Sequence, residues 1–280
     1  MRSALRCLVA RSSVASLNMS NILSGDFTSG AHIPLWLRGV TPPRYSKLTS
    51  DVDCDVCIVG GGIAGVSAAY HLSSAGQKVV LLEDGELASG ETGRSTAHLV
   101  SKLDDHFSVL SKHHGVHGAS LAYASHAAAI DVIERTVADH RIDCGFERID
   151  GYLFPGNGVP SSFIDTEYAA GESVGVRDMR LLPRAPIAAY DTGPSIVYGR
   201  QGMVDPVRYL YGLARAATAL GADIYTHTRA ATIEGSRAGA ACVTTPDGVS
   251  VRARFAIEAT NVPGTNLLRL HAKQKCTRYV

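Results

Sequence analysis

The sequence predicts an α/β fold built on a doubly wound parallel sheet, and three observations carry that prediction. Residues 54–83, "CDVCIVGGGIAGVSAAYHLSSAGQKVVLLE", run through a buried-strand pattern, a glycine turn, a helix and a second buried-strand pattern. The turn holds Gly60, Gly62 and Gly65 at G-x-G-x-x-G spacing. The second strand closes on Glu83, 18 positions after Gly65.

Each part of this unit has a physical reason. "DVCIV" and "KVVLLE" have the length and β-branched content of strands buried on both faces. "IAGVSAAYHLSSAG" reads as a helix with a small-residue face that Gly76 ends. Two parallel strands need such a helical crossover, so the unit implies a Rossmann-like sheet. Gly60 allows the tight turn, Gly62 lets the backbone approach a pyrophosphate, and Gly65 lets the helix pack close to the sheet. The amides of Gly62, Ile63 and Ala64 then face phosphate charge at the helix N-terminus. Glu83 is placed to accept hydrogen bonds from ribose hydroxyls and disfavours a 2′-phosphate. The fingerprint alone leaves NAD and FAD open.

The remaining chain is read in order. Residues 1–25 hold Arg2, Arg6 and Arg11, several serines and no acidic residue. That composition suits a mitochondrial transit peptide, with a disordered tail on a cytoplasmic protein as the alternative. Residues 26–51 form an extended arm, because Pro42 and Pro43 forbid a regular helix; Trp36 and its aliphatic neighbours pin it by packing. Residues 118–140 are alanine-rich with spaced apolar positions and predict a long helix. "CGFERIDGYLFPG" and "PSIVYGRQGMVDP" change to β character. "PVRYLYGLARAATALG" is a helix, with Pro206 at its start and Gly221 at its end. "TTPDGVSV" is a hairpin turning at Asp247-Gly248, and "RFAIEAT" is a buried strand returning to the first sheet.

Composition bounds the partners. The 280 residues are 45% apolar and 19% charged with a net charge of +1, so no bulk field points to nucleic acid. No apolar run approaches a transmembrane length. The six cysteines are scattered, which is not a disulfide framework and fits a reducing compartment. Cys54 and Cys57 form C-x-x-C, but they lie in a strand, where an odd separation points them to opposite faces. They are read as packing residues. His113, His114 and His117 have no matching carboxylate or cysteine run, so no metal site is expected. Tyr152 and Tyr198 fit core packing better than a pocket.

The stretch after Glu83 carries more. "LASGETGRSTAHL", Leu87 to Leu99, is small and hydroxyl-rich. With "GMVDPVRYLYGLARAATALGADIYTHTRAATI" and "ARFAIEATN", it resembles the FAD-dependent oxidoreductases of the D-amino-acid oxidase type. That family includes glycine and sarcosine oxidases and dimethylglycine dehydrogenase. Residues 52–100 and 200–262 carry the resemblance, and 100–200 do so loosely. The "PLWL" arm and "SGETGRSTAHL" are closest to a subgroup with a C-terminal Rieske iron–sulfur domain, although no Rieske C-x-H…C-x-x-H pattern is present.

The resemblance implies FAD, bound by Gly60, Gly62, Ile63, Ala64, Gly65 and Glu83, by Ser89, Arg94, Ser95, Thr96 and His98 of the loop, and by Ala259 and Thr260. It implies an FAD-binding unit in two parts, residues 52–145 and 203–265, with a partial β-rich substrate domain at 146–202 inserted between them. It implies hydride transfer to flavin from an amino acid or N-methylated amine, with the electron acceptor open and no catalytic base assigned. In one branch the histidine of a Ser-Thr-x-His run carries the flavin covalently. Here that is His98, and a non-covalent neighbour of the ring is the preferred reading. Arg94 has two readings, a counter-charge for the diphosphate or a substrate carboxylate and a plain exposed loop arginine. Ser89, Ser95 and Thr96 have two as well, hydroxyls for the cofactor and caps for a helix starting near Ala97.

Two departures qualify the resemblance. Asn261 stands where the family has glycine, a mild change because Asn tolerates unusual backbone angles. Family members also continue well past this point, whereas residues 266–280 are a short tail, so a truncated chain is expected. The competing functions are a binding remnant without activity and an NAD-binding Rossmann protein.

Overall fold

The computed structural model describes residues 34–235 and 240–261. The transit-peptide reading of 1–25 and the tail at 266–280 lie outside the described residues. Two sheets organise the chain. The first has the order β7-β2-β1-β10-β9-β8. Its strands are β1 (Val52–Val59), β2 (Val79–Leu82), β7 (Asp223–Tyr225), β8 (Thr232–Gly235), β9 (Ala241–Thr244) and β10 (Ser250–Glu258). The pairs β7-β2, β2-β1 and β1-β10 are parallel, and β10-β9 and β9-β8 are antiparallel. The expected return of "RFAIEAT" is β10, lying beside β1 with Ile58 opposite Ile257.

Two helices cover one face of this sheet, α1 (Ile63–Ser74) and α4 (Pro206–Ala219). Asp205 caps α4 by accepting from the amides of Val207 and Arg208, both at 3.0 Å. Val56, Ile58, Val79 and Leu81 meet Val66, Leu210, Leu213 and Ala217 in the larger core. Cys57, Val59, Val80 and Leu82 point the other way, onto Leu48, Val243 and Val251.

The second sheet centres on β6 (Ser195–Met203), with β4 (Glu147–Leu153) along one edge. Along the other edge run β3 (His98–Leu99) and β5 (Met179–Leu182). Helices α2 (Phe107–His140) and α3 (Ser162–Val174) cover it. Glu167 of α3 is fully buried and accepts from the Phe107 amide (2.6 Å), the Ser108 amide (3.1 Å) and the Ser108 hydroxyl (2.8 Å). It satisfies the first turn of α2, whose donors have no intrahelical partner.

Two expectations are corrected here, and two helical stretches are added. The long helix expected over 118–140 is present, and a shorter helical stretch from Phe107 joins it across a kink at Gly115, where φ is +70°. Helix α3 lies between the two β stretches, in residues that were given no element. No helix begins near Ala97; β3 does, and the Ser95 hydroxyl accepts the Ala97 amide at 3.0 Å. Cys54 and Cys57 do not face apart. The amides of Asp55 and Val56 both donate to the Lys78 carbonyl, at 2.9 and 3.2 Å. The strand changes phase there, and Cys54 packs against the cluster that holds Cys57. Burial pushes their thiols up, to about 11 and about 12, so both are inert at neutral pH.

Candidate cofactor site

A cavity of about 860 Å³ opens at the carboxyl ends of β1 and β2, where Val59 and Leu82 end their strands. That is where open α/β sheets bind ligands. Its floor is the turn from β1 into α1, lined by Gly60, Gly62, Ile63 and Ala64. The three motif glycines have different reasons. Gly60 has φ +115°, and a Cβ there would lie 2.5 Å from the Ala259 carbonyl oxygen. A Cβ on Gly65 would lie 1.9 Å from the Gly60 oxygen, so α1 can approach the turn only without a side chain. Gly62 is different: a Cβ there meets only the Thr92 hydroxyl, at 3.3 Å. Glycine at 62 is under far less backbone pressure than at 60 or 65, since a Cβ there would displace one hydroxyl by a few tenths of an ångström and otherwise face the cavity.

One wall is the loop after β2, where Asp84, Ala88, Ser89, Gly90, Glu91, Thr92 and Ser95 line the cavity. Its shape is fixed from within. Ala88 and Ala97, both buried, hold φ of +65° and +66°, left-handed conformations that cost a non-glycine residue about 1–2 kcal/mol each. Arg94 donates to the carbonyls of Ser89 (2.9 Å) and Gly90 (2.8 Å), closing the loop on itself. Thr92 accepts the Ile63 amide at 3.0 Å and ties the loop to the first turn of α1. Among the described residues, the amides of Gly62 and Ala64 have no protein acceptor.

The opposite wall is the segment Thr228–Ala231 after β7, with Pro246 of the β9–β10 turn. Ala259, Thr260 and Asn261 close the far end, and Asn261 adopts φ +63°, the unusual angle expected for it. Glu83 lines the cavity and accepts from the amides of Gly61 and Gly85. Burial first, and then its hydrogen bond with Asp84, push the Glu83 carboxyl up to about 7.

Gly60, Gly62, Ile63, Ala64, Glu83, Ser89, Ser95, Ala259 and Thr260 therefore converge on one cavity. Gly65 lies behind it, in packing. Arg94, Thr96 and His98 are exposed and do not line it; His98 sits on β3 opposite Met203. Sequence reasoning missed Thr92 and the Thr228–Ala231 wall. The threonine looked like any loop hydroxyl, and the wall lies in a stretch that carried the resemblance without any of its residues being named.

This is the geometry of a dinucleotide-binding protein, with the loop after β2 folded over the fingerprint turn. Residues 55–278 match the family model described as FAD dependent oxidoreductase, and the chain belongs to that family. FAD is the cofactor of that family. The chain is 31% identical over 238 residues to the putative Rieske 2Fe-2S iron-sulfur protein YhfW of Bacillus subtilis, covering 85% of this chain and 46% of that one. It is 26% identical over 218 residues to a glycine oxidase of Bacillus licheniformis, covering 74% and 54%. The glycine oxidase structure from Geobacillus kaustophilus superposes with a TM-score of 0.63 at 21% identity, over 75% of this chain and 55% of that one, a likeness of fold. The chain spans about half the length of the curated relatives it matches. Among the described residues, no helix is long and apolar enough to cross a membrane.

Proposed function

We propose that this chain binds FAD in the cavity at the ends of β1 and β2 and serves the oxidation of an amino acid or N-methylated amine. The space left at Gly62, above a helix N-terminus with open amides, is the observation that carries the reading. FAD, when bound, supplies a two-electron acceptor for hydride from a carbon bearing an amine. The amides of Gly62 and Ala64 hold the diphosphate, and the helix N-terminus offsets its charge. Glu83 accepts from ribose hydroxyls, and Ser89 and Ser95 offer hydroxyls along the cofactor. Arg94 acts by holding the loop closed. His98 is a non-covalent neighbour, in keeping with its exposed position outside the cavity. Residues 52–145 and 203–265 make the cofactor unit in this reading, and 146–202 contribute to the substrate side. The substrate class is supported by relatives named glycine oxidase and gamma-glutamylputrescine oxidoreductase.

The test is direct. The full chain is expressed, its visible spectrum recorded, and sarcosine, glycine and proline added without oxygen. A flavin band that bleaches supports the reading; a flavin that never bleaches leaves binding alone; a colourless protein sinks it. Acid precipitation releases yellow colour to the supernatant if His98 is not bonded to the ring. For residues 1–25 we propose mitochondrial targeting, from their arginine and serine content. A fluorescent fusion that stays cytoplasmic refutes that.

A further inference from the structure

The extended arm before β1 touches both walls of the cofactor cavity yet contributes no residue to its lining. At one end the short 3-10 turn Leu35–Leu37 lies against the loop after β2. The Trp36 indole N–H donates to the Ser95 carbonyl at 2.8 Å. A Cβ on Gly93 would meet the Leu37 side chain at 3.5 Å, ordinary contact distance. At the other end the arm lies along the segment after β7. The buried Thr226 hydroxyl donates to the Tyr45 carbonyl at 3.0 Å, and the Leu48 amide donates to the Thr228 hydroxyl at 3.0 Å. Lys47 reaches Asp247, beside the cavity-lining Pro246. The intervening chain is held as well: Trp36, Leu37, Val40 and Tyr45 all pack against the larger core.

We propose that residues 34–51 are a strap that fixes the separation of the two cavity walls, with Trp36 and Thr226 as its positioning residues. Ser95 and Thr228 both line the cavity, and they are the residues the arm grips. The two walls are separated by more than 130 positions in sequence. The arm is a single covalent path that bonds to both. Its consequence for cofactor affinity rests on the FAD reading; its mechanical part does not.

The experiment therefore has two readouts on the full chain. Hydrogen exchange is measured without cofactor on wild type, Trp36→Phe and Thr226→Val, and FAD affinity is measured on the same proteins by flavin fluorescence. Trp36→Phe keeps an aromatic ring and removes the donor, so the fold is retained. Trp36→Phe is expected to speed exchange in residues 88–95, and Thr226→Val in residues 226–231. Each is expected to weaken FAD binding about fivefold, the scale of one hydrogen bond. Exchange changes confined to the arm itself overturn the strap, as does FAD affinity unchanged within about twofold in a wild type that binds FAD. A wild type that binds no FAD overturns the flavin reading, while the exchange data still decide the strap.

Discussion

A Cβ built on Gly65 lies 1.9 Å from the carbonyl oxygen of Gly60, whereas one on Gly62 meets nothing nearer than the Thr92 hydroxyl at 3.3 Å. Two glycines of one motif thus answer to different demands. Gly65→Ala drives a methyl into backbone that cannot yield. It is expected to destabilise the protein by about 3 kcal/mol or more. Gly62→Ala, at φ −81°, is expected to change stability by less than about 1 kcal/mol. The same change fills the cavity and is expected to weaken FAD binding at least about tenfold. Denaturant midpoints and flavin titrations of the two variants check the division. Equal loss of stability in both would remove the argument that Gly62 serves a ligand.

Thr92 joins the loop after β2 to α1 through the Ile63 amide. Its hydroxyl acts as a cap supplied from 29 residues away. Thr92→Val keeps the shape and deletes the acceptor, leaving a helix-terminal donor open. The expected cost is about 1 kcal/mol. Thr92→Ser keeps the acceptor and is expected to stay within about 0.5 kcal/mol of wild type. Thermal melts of the pair test this, and an equal loss in both would point to the methyl rather than the bond.

What was legible in the sequence shares one character: the signal is local. The turn chemistry of Gly60 to Gly65, the Asp205-Pro206 start of α4 and the Asp247-Gly248 hairpin each lie within a few residues of what they specify. What was missed is specified from far away. The short helical stretch from Phe107 to the kink at Gly115 was not read, because Glu167, about 60 positions on, satisfies its first amides. The histidines and glycines near Gly115 hid that start. Cys54 and Cys57 share a cluster because the amides of Asp55 and Val56 both donate to the Lys78 carbonyl just before β2, which no count of separation reveals. In the cavity, the glycine floor was visible residue by residue, while the Thr228–Ala231 wall was not, since it is brought there by the pairing of β7 with β2 from more than 130 positions away.

The Glu83 carboxyl titrates near 7 in the folded chain, above its ordinary 4.5, because burial and Asp84 disfavour its charged form. Between those values the folded state holds a proton that the unfolded chain has released. Stability from this group is therefore full below about pH 4.5 and is lost as pH rises through 7. The whole effect is at most about 3.5 kcal/mol, since each unit is worth about 1.4 kcal/mol. The cofactor-free protein is expected to lose stability across that window, and Glu83→Gln to flatten the slope. Urea unfolding from pH 4.5 to 8 measures it; a slope that survives in Glu83→Gln assigns it to another group.

Glu167 is fully buried, and its carboxyl oxygens accept three donors at the start of α2. The Phe107 ring beside it is buried against Tyr198 and Tyr123, so helix, strand and cap meet at one point. Glu167→Ala leaves two backbone amides and a hydroxyl without their acceptor and opens a void among apolar side chains. The expected cost is about 3–5 kcal/mol. Glu167→Gln retains one acceptor oxygen but turns a donor toward an amide, so it is expected to lose a smaller share, about 2 kcal/mol. The damage should stay in the second sheet, because none of these residues lines the cofactor cavity. Faster hydrogen exchange in residues 107–114 and 162–174, with FAD affinity held within about twofold, is the expected pattern. Loss of FAD binding in a folded Glu167→Gln would show instead that the α2–α3 junction supports the cofactor site.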